Sequence, residues 1–391
     1  MNRHCAFAAT TTLLFVAGGS AAAADPPAAP ISLSSLLAAD GIVVSGYLDA
    51  AYEHQSGAGE FSSGVPDRVF DARADSFALH QAALTIAKQP QEGFGAVVNL
   101  TAGQDAEVIK SYPLQGGANF DLTQGFVQYA HGPLTLMLGK FVTLAGAEVI
   151  ASPGNSNFSR SILFGYAIPF THTGLRATYA IDDRWTLVLG VDNGWDQVSD
   201  ANRQKTIEYG VTFTPAKSVT LLVDGYVGRE PLAIVNNTPS AAQGQRFLVD
   251  VVATWNATAK LTLVLNYDDA SQKDDSPGAV LHTYRWDGVA AYGNYQFTDR
   301  WRVSLRGEYF DDRNGYRTGV VDPSSGRGQR WKETTLTVGY APAKSFELRL
   351  EGRYDESSVP GAFVKSLDGT GQPLTFARSL DSVAIEALYK F

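Results

Sequence analysis

The sequence predicts an all-β fold: a transmembrane antiparallel up-and-down β-barrel of about sixteen strands, within a range of about fourteen to eighteen. Three observations predict it. From Gly41 onward apolar and polar residues alternate with period two, the links between alternating segments are by turns short and long, and aromatic residues gather beside the short links.

Alternation matters because successive strand side chains point to opposite faces. Leu261, Leu263, Leu265 and Tyr267 share one face, with Thr262, Asn266 and Asp268 on the other. Trp301, Val303, Leu305 and Tyr309 oppose Arg302, Ser304, Arg306 and Glu308. Phe346, Leu348, Leu350 and Tyr354 oppose Glu347, Arg349, Glu351 and Arg353. The last segment sets Val383, Ile385, Ala387, Tyr389 and Phe391 against Ser382, Glu386 and Lys390. Segments near 74–89 and 284–297 alternate poorly.

A soluble sandwich alternates too, so the links carry the decision. Short ones fall near Gln89–Glu92, His131–Pro133, Asp182–Arg184, Pro215–Lys217, Asn256–Lys260, Thr298–Arg300 and Pro342–Lys344. Long, polar, Gly-rich ones cover roughly 54–73, 104–119, 142–169, 193–204, 229–245, 270–283, 311–330 and 356–375. Seven short and eight long links in strict alternation join sixteen strands and leave both termini on one side. That is the pattern of short periplasmic turns and long extracellular loops. Trp185, Phe213, Trp255, Phe297, Trp301, Tyr340, Phe346 and Phe391 lie near short turns or the C-terminus and share the apolar face, as an interfacial aromatic girdle requires. Tyr52, Trp195, Tyr267, Tyr309 and Tyr354 are expected to form the opposite girdle.

Residues 1–24 read as a cleaved signal peptide: Arg3 and His4, an apolar Ala6–Ala17 core, then Ala22-Ala23-Ala24 before Asp25. This places the chain in the Gram-negative outer membrane by export. Residues 25–40 are expected to be a periplasmic linker, with Ser32–Ala39 as one short helix, and 41–391 the barrel. The one cysteine, Cys5, lies in the signal, so the mature chain has no disulfide. The net charge of -9 excludes a typical basic nucleic-acid binder. No apolar stretch reaches the ~18 residues of a transmembrane helix.

Sixteen tilted strands enclose an aqueous lumen, and the polar faces would line it. Its charges are mixed: Arg176, Arg302, Arg306, Arg349 and Arg353 against Glu208, Asp224, Asp250, Glu308, Glu347 and Glu351. The third outer loop, about 142–169, is too apolar for an exposed link. Ala147, Val149, Ile150, Phe158, Ile162, Leu163 and Phe164 need a dry site. Folded against the inner wall, the loop would present Glu148, Asn155, Asn157 and Arg160 as a constriction, faced by the wall arginines. Packing over the mouth or against a subunit is the alternative. His172 shares parity with Arg176 and would lie just below this loop, as an anchor or a titrating group. The pairs Asp268/Asp269, Asp274/Asp275 and Asp311/Asp312 read as solvated loop acids able to bridge cations to lipopolysaccharide.

The run GKFVTLAGAEVIASPGNSNFSRSILFGYAIPFTHTGLRATYA (Gly139 to Ala180), the entry GIVVSGYLDAAYEH and the terminal EALYKF resemble the β-barrel porin-2 (OmpL-like) family. The resemblance spans the mature chain, and only the Gly139–Ala180 run is specific. It implies an outer-membrane barrel with porin activity and a terminal Phe391 read by the barrel assembly machinery. The PEFGG-type loop tip of general porins is absent, so neither trimeric assembly nor their eyelet is carried over, and a homo-oligomer is left open.

His54, His80, His131, His172 and His282 are scattered without metal-ligand spacing, and Gly154-Asn-Ser156-Asn-Phe158 misses a nucleophile elbow at its last position. The expectation is a channel for small hydrophilic solutes or ions, with no enzyme activity, cofactor or metal, surrounded by outer-membrane lipid and lipopolysaccharide. A channel specific for sugars or oligopeptides, or a non-conducting structural or adhesive barrel, is the rival. Solute identity and ion preference are not set by the sequence.

Overall fold

The computed structural model describes residue 37 and residues 39–57, 68–71, 75–116, 119–370 and 373–391. The expected signal peptide and nearly all of the linker lie outside the described residues.

Sixteen antiparallel strands close into one barrel. In chain order they are β1 (Val43–Gln55), β2 (Ser76–Lys88), β3 (Gly93–Ala102), β4 (Phe120–His131), β5 (Leu134–Val142) and β6 (Thr171–Ala180). Next come β7 (Trp185–Asp192), β8 (Thr206–Ala216), β9 (Val219–Pro231), β10 (Gln243–Asn256) and β11 (Leu261–Lys273). The set ends with β12 (Thr283–Gln296), β13 (Trp301–Asp312), β14 (Arg330–Ala343), β15 (Phe346–Ser357) and β16 (Ser379–Lys390). Each strand pairs with its sequence neighbours, and β16 closes on β1 with Tyr47 opposite Lys390. All fifteen links fall where the alternation of short and long placed them. Three links are two-residue turns, and in one of them, Gly132-Pro133, Gly132 takes φ 55°, a left-handed conformation that glycine adopts without strain. The two poorly alternating segments are β2 and β12. β2 follows a register shift opposite Asp49/Ala50, and β12 turns the small Gly288 and Ala290 inward.

The burial pattern is inverted relative to a soluble protein. Leu265 is 50% exposed, Leu350 56% and Ile385 51%, whereas Asp268 and Arg306 are 0% exposed. Apolar side chains face lipid, and polar ones face inward. The lower girdle is present as outward rings: Trp185 stacks on its cross-strand partner Phe213 at 4.1 Å, and Trp301 meets Tyr340 at 4.5 Å. Phe77, 85% exposed, joins Tyr52 at 4.9 Å in the upper one. Trp195 does not belong there. It is 5% exposed in the loop after β7, turned into the lumen beside Tyr226 and Trp286.

The hydrophobic core lies inside the barrel. Tyr226, Leu248, Ala270, Trp286, Phe310, Trp331 and Leu380 occupy inward positions in the outer half of their strands, and loop 3 (143–170) packs on them. Its buried apolar residues include Ala145, Ile150, Phe158, Ile162, Leu163, Phe164, Tyr166, Ala167, Ile168 and Phe170. This is the dry site the loop needed. Val149 is an exception at 44% exposed. Loop 1 contributes Phe70, and loop 2 contributes a short helix, α1 (Gln104–Ile109), whose Ile109 is fully buried.

Candidate functional site

Eight of the ten sequence-nominated polar residues lie in loop 3 or on the wall behind it, and the other two, His172 and Arg176, stand on β6 across the lumen. Their contacts differ from an open eyelet. Arg306 donates to Ser159 O (2.7 Å) and Glu148 (2.8 Å), and a second arm reaches Glu333 (3.1 Å). Arg353 donates to Arg160 O (2.8 Å) and Arg302 to Ser156 O (2.6 Å). Arg349 sits 3.2 Å from Glu386. The wall arginines therefore hold the loop's carbonyl groups.

Carboxylates hold its amide groups. Glu351 accepts from Phe158 N (2.7 Å) and Ser159 N (2.9 Å), and Glu308 accepts from Ile162 N (3.0 Å) and Leu163 N (3.2 Å). Asp49 accepts from Ser152 Oγ at 2.5 Å. Asn157 donates to Thr337 (2.6 Å). Asn155 and Arg160 bind within the loop, Asn155 to Val149 N and O, Arg160 to Val149 O, Ile150 O and Phe158 O. A loop with no strand partner has many backbone groups to satisfy, and charged side chains satisfy them with roughly twice the strength of neutral ones.

Across the lumen, Arg176 is gripped by both oxygens of Glu208 (2.7 and 2.6 Å) and lies 4.1 Å over the Phe141 ring. His172 is fully buried, stacked on Tyr226 at 4.3 Å, with Asp192 3.8 Å away. Of the ten, Arg302 is the one that reaches partly into the open, 18% exposed by side chain. Below this level, on the periplasmic side, the inner wall of β5 to β11 is neutral. Thr135, Thr178, Thr186, Thr212, Thr220, Thr254 and Thr262 stand one per strand from β5 to β11, each partly exposed.

Sequence reasoning missed part of this site. Arg68 of loop 1 enters the lumen and binds Glu53 (2.8 Å), Asp71 (2.9 Å) and Asp355 (2.5 Å). A single arginine in a polar link gives no periodic signal. The inward Trp286 and Trp331 carry such a signal, because they sit on the polar parity of their strands; their indoles donate to Ala167 O and Asp355, both at 3.0 Å. Two of the three acidic pairs are not loop residues. Asp268 is a buried inward residue of β11, and Asp312 of β13 caps the next loop by accepting from the amides of Tyr316, Arg317 and Thr318.

A closed sixteen-stranded wall, apolar outside and polar within, defines a class: the porins, passive diffusion channels of the Gram-negative outer membrane. The chain belongs to the family described as "Putative beta-barrel porin-2, OmpL-like", whose model matches residues 41–391. No individual curated protein is matched in sequence. Among solved structures, the chain is similar to in-vitro folded OmpT of Vibrio cholerae in its trimer form, at 14% identity over 90% of this chain and 99% of that one, TM-score 0.60. It is similar to the outer membrane channel DcaP of Acinetobacter baumannii, at 12% identity over 90% and 97%, TM-score 0.59. The anion-selective porin from Comamonas acidovorans matches at 10% identity over 90% and 99%, TM-score 0.60. At these identities the likeness is one of fold.

Proposed function

We propose that loop 3 sets the bore of this porin, and that small hydrophilic solutes or ions pass it without any catalytic step. The observation carrying this reading is the two-sided clamp, in which Glu308 and Glu351 hold the loop's amides while Arg302, Arg306 and Arg353 hold its carbonyls. Glu148, Asn155, Asn157, Arg160, His172, Arg176, Arg302, Arg306, Arg349 and Arg353 are then the frame of the constriction, most of them shaping it rather than meeting solute. The test is single-channel conductance of the refolded protein in a planar bilayer, alongside the Glu308→Gln/Glu351→Gln variant. Ohmic steps are expected, with larger or noisier steps once the loop is loosened. A barrel that inserts and never conducts would sink the reading.

A terminal aromatic residue whose backbone closes the barrel, Phe391 N to Gly46 O and Gly46 N to Phe391 O at 2.9 Å each, supports recognition of Phe391 by the assembly machinery. Export by the 1–24 signal, contact with lipopolysaccharide and homo-oligomeric assembly belong to the same proposal, the last supported by the trimer form of the Vibrio OmpT fold neighbour. One observation favours substrate specificity as a second reading. Tyr284 and Tyr316, both partly exposed, stack at 4.9 Å near the outer mouth. Such platforms suit sugar rings, and saturable block of conductance by a maltooligosaccharide series would reveal it.

A further inference from the structure

One hydrophobic cluster crosses the outer half of the lumen, and five loops feed it. Phe70 comes from loop 1, Ile109 from loop 2, Leu163 from loop 3, Trp195 from the loop after β7 and Phe363 from the loop after β15. On the wall the cluster reaches from Tyr226 of β9 to Leu380 of β16. In loop 3, residues 158–170 are buried except Gly165. Each of the sixteen strands has an inward side chain no more than 1% exposed, among them Asp49 on β1, Phe141 on β5, Asp268 on β11 and Phe310 on β13. A continuous water path would leave the strands beside it wet along their whole inner face, and no strand is. A hydrophobic constriction expels its water, so a hydrated ion does not cross such a septum.

The two margins of loop 3 are held differently. Toward β13 to β15 the bonds are charge-assisted, Glu308 and Glu351 to amides, Arg306 and Arg353 to carbonyls. Toward β8 to β11 the segment 143–147 ends on neutral groups. Thr143 Oγ1 and Leu144 N meet the Tyr226 hydroxyl, both at 3.0 Å, and Ala147 N donates to Asn266 at 2.9 Å. Charge-assisted bonds are roughly twice as strong as neutral ones, so the neutral margin parts first. Arg176 donates to Val142 O at 3.0 Å and pins the strand end from which the segment leaves.

We infer that this conformation is the shut state of the channel, and that no solute passes until residues 143–147 leave β8 to β11, with the clasp on β13 to β15 still made. The inference rests on the diffusion-channel reading and adds a closed state to it. The threonine belt of β5 to β11 is then the wall that water lines when the margin lifts.

A reversible tether tests it. A Cβ on Gly210 of β8 would stand 3.4 Å from Leu144 Cδ1, so Leu144→Cys/Gly210→Cys places two thiols across the neutral margin. In a Cys5→Ser background the chain has no other cysteine. In a planar bilayer the native barrel is expected to insert silently and then open in discrete steps. The oxidised variant is expected to lose those steps, and dithiothreitol to restore them. In the clasped half a Cβ on Gly288 would stand 2.8 Å from Leu163 Cδ1, and Leu163→Cys/Gly288→Cys is expected to leave the steps unchanged. Silence from that second tether would overturn the stationary clasp. If the first pair does not fold or bridge, judged by gel mobility with and without reductant, Ala147→Cys/Asn266→Cys ties the same segment to β11. Steps that survive the bridged margin overturn the inference alone, because solute then passes elsewhere, and so does a native barrel that stands open from the moment it inserts. A native barrel that inserts and never opens overturns the channel reading and this inference with it.

Discussion

Two sectors of one lumen wall are built from the same alternating strands and put their polar residues to different uses. On β13 to β15, arginines and glutamates cancel one another and clasp loop 3. On β7 to β11, aspartates stand uncompensated above a neutral belt of threonines. Burying a charge is tolerable when a partner and hydrogen bonds replace its water, which the first sector supplies and the second lacks. The first sector is therefore held together by its charges, and the second buries its aspartates with no cation against them.

The contrast breaks most sharply at Arg306. Arg306→Leu leaves Glu148, Glu308 and Glu333 without the cation they share, and removing one partner of a buried ion pair costs about 3–5 kcal/mol. Urea unfolding in micelles is expected to shift accordingly, and single-channel traces to lose a steady level.

Next comes Asp196, in the loop joining β7 to β8. Its Oδ1 accepts from Phe170 N and Thr171 N at 2.9 Å each, closing loop 3 onto β6. Burial raises its carboxyl above the usual carboxylate range, although the Thr171 and Phe170 amides pull the other way. A neutral side chain with the same oxygen should therefore serve. Asp196→Asn is expected to unfold near the native midpoint, and Asp196→Ala to lose about 1–3 kcal/mol by stranding two amides. Equal losses in both variants would contradict this.

In the aspartate sector the expected sign reverses. Asp250→Asn keeps an acceptor for Asn266 in a sector where no cation is lost, so unfolding is expected to change by less than about 1 kcal/mol or to shift toward stability. A loss as large as that of Arg306→Leu would erase the distinction between the sectors.

The smallest effect lies outside both, at the periplasmic turns. The Gly132 amide (2.9 Å) and then His131 (3.0 Å) hold the exposed Glu92 carboxyl below its ordinary range. A depressed pKa gives stability that is present above the unfolded value and lost as pH falls through the folded one. Glu92→Gln should be slightly less stable than the native protein at neutral pH and indistinguishable from it in acid. A difference that persists in acid would assign the contact to packing.

Much of the architecture is legible in the residues themselves. Period-two alternation is local, so Leu263, Leu265 and Tyr267 declare their face whatever surrounds them. Link length sets which strands are neighbours, and rings beside short turns mark the membrane boundary. Loop 3 betrays its burial because Ile162, Leu163 and Phe164 are too apolar for water. Those features need only composition and spacing, and they determined strand number, orientation, the lipid-facing wall and the infolded loop.

What only the tertiary structure decided is who meets whom across the lumen. Arg306 and Arg353 read from sequence as pore-lining charges, and the fold turns them toward the loop's carbonyls. Trp195 reads as a girdle ring, and its loop carries it inward. Arg68 enters from a polar link with no pattern to announce it, and Asp268 exchanges a solvated loop for a buried row of carboxylates. Parity states that a side chain faces the lumen, but hydrogen bonds and ion pairs between residues a hundred or more positions apart depend on barrel closure and on how three loops share one interior. Local sequence cannot encode that distance, and it decides which lumen residue clasps a loop and which is buried without a partner.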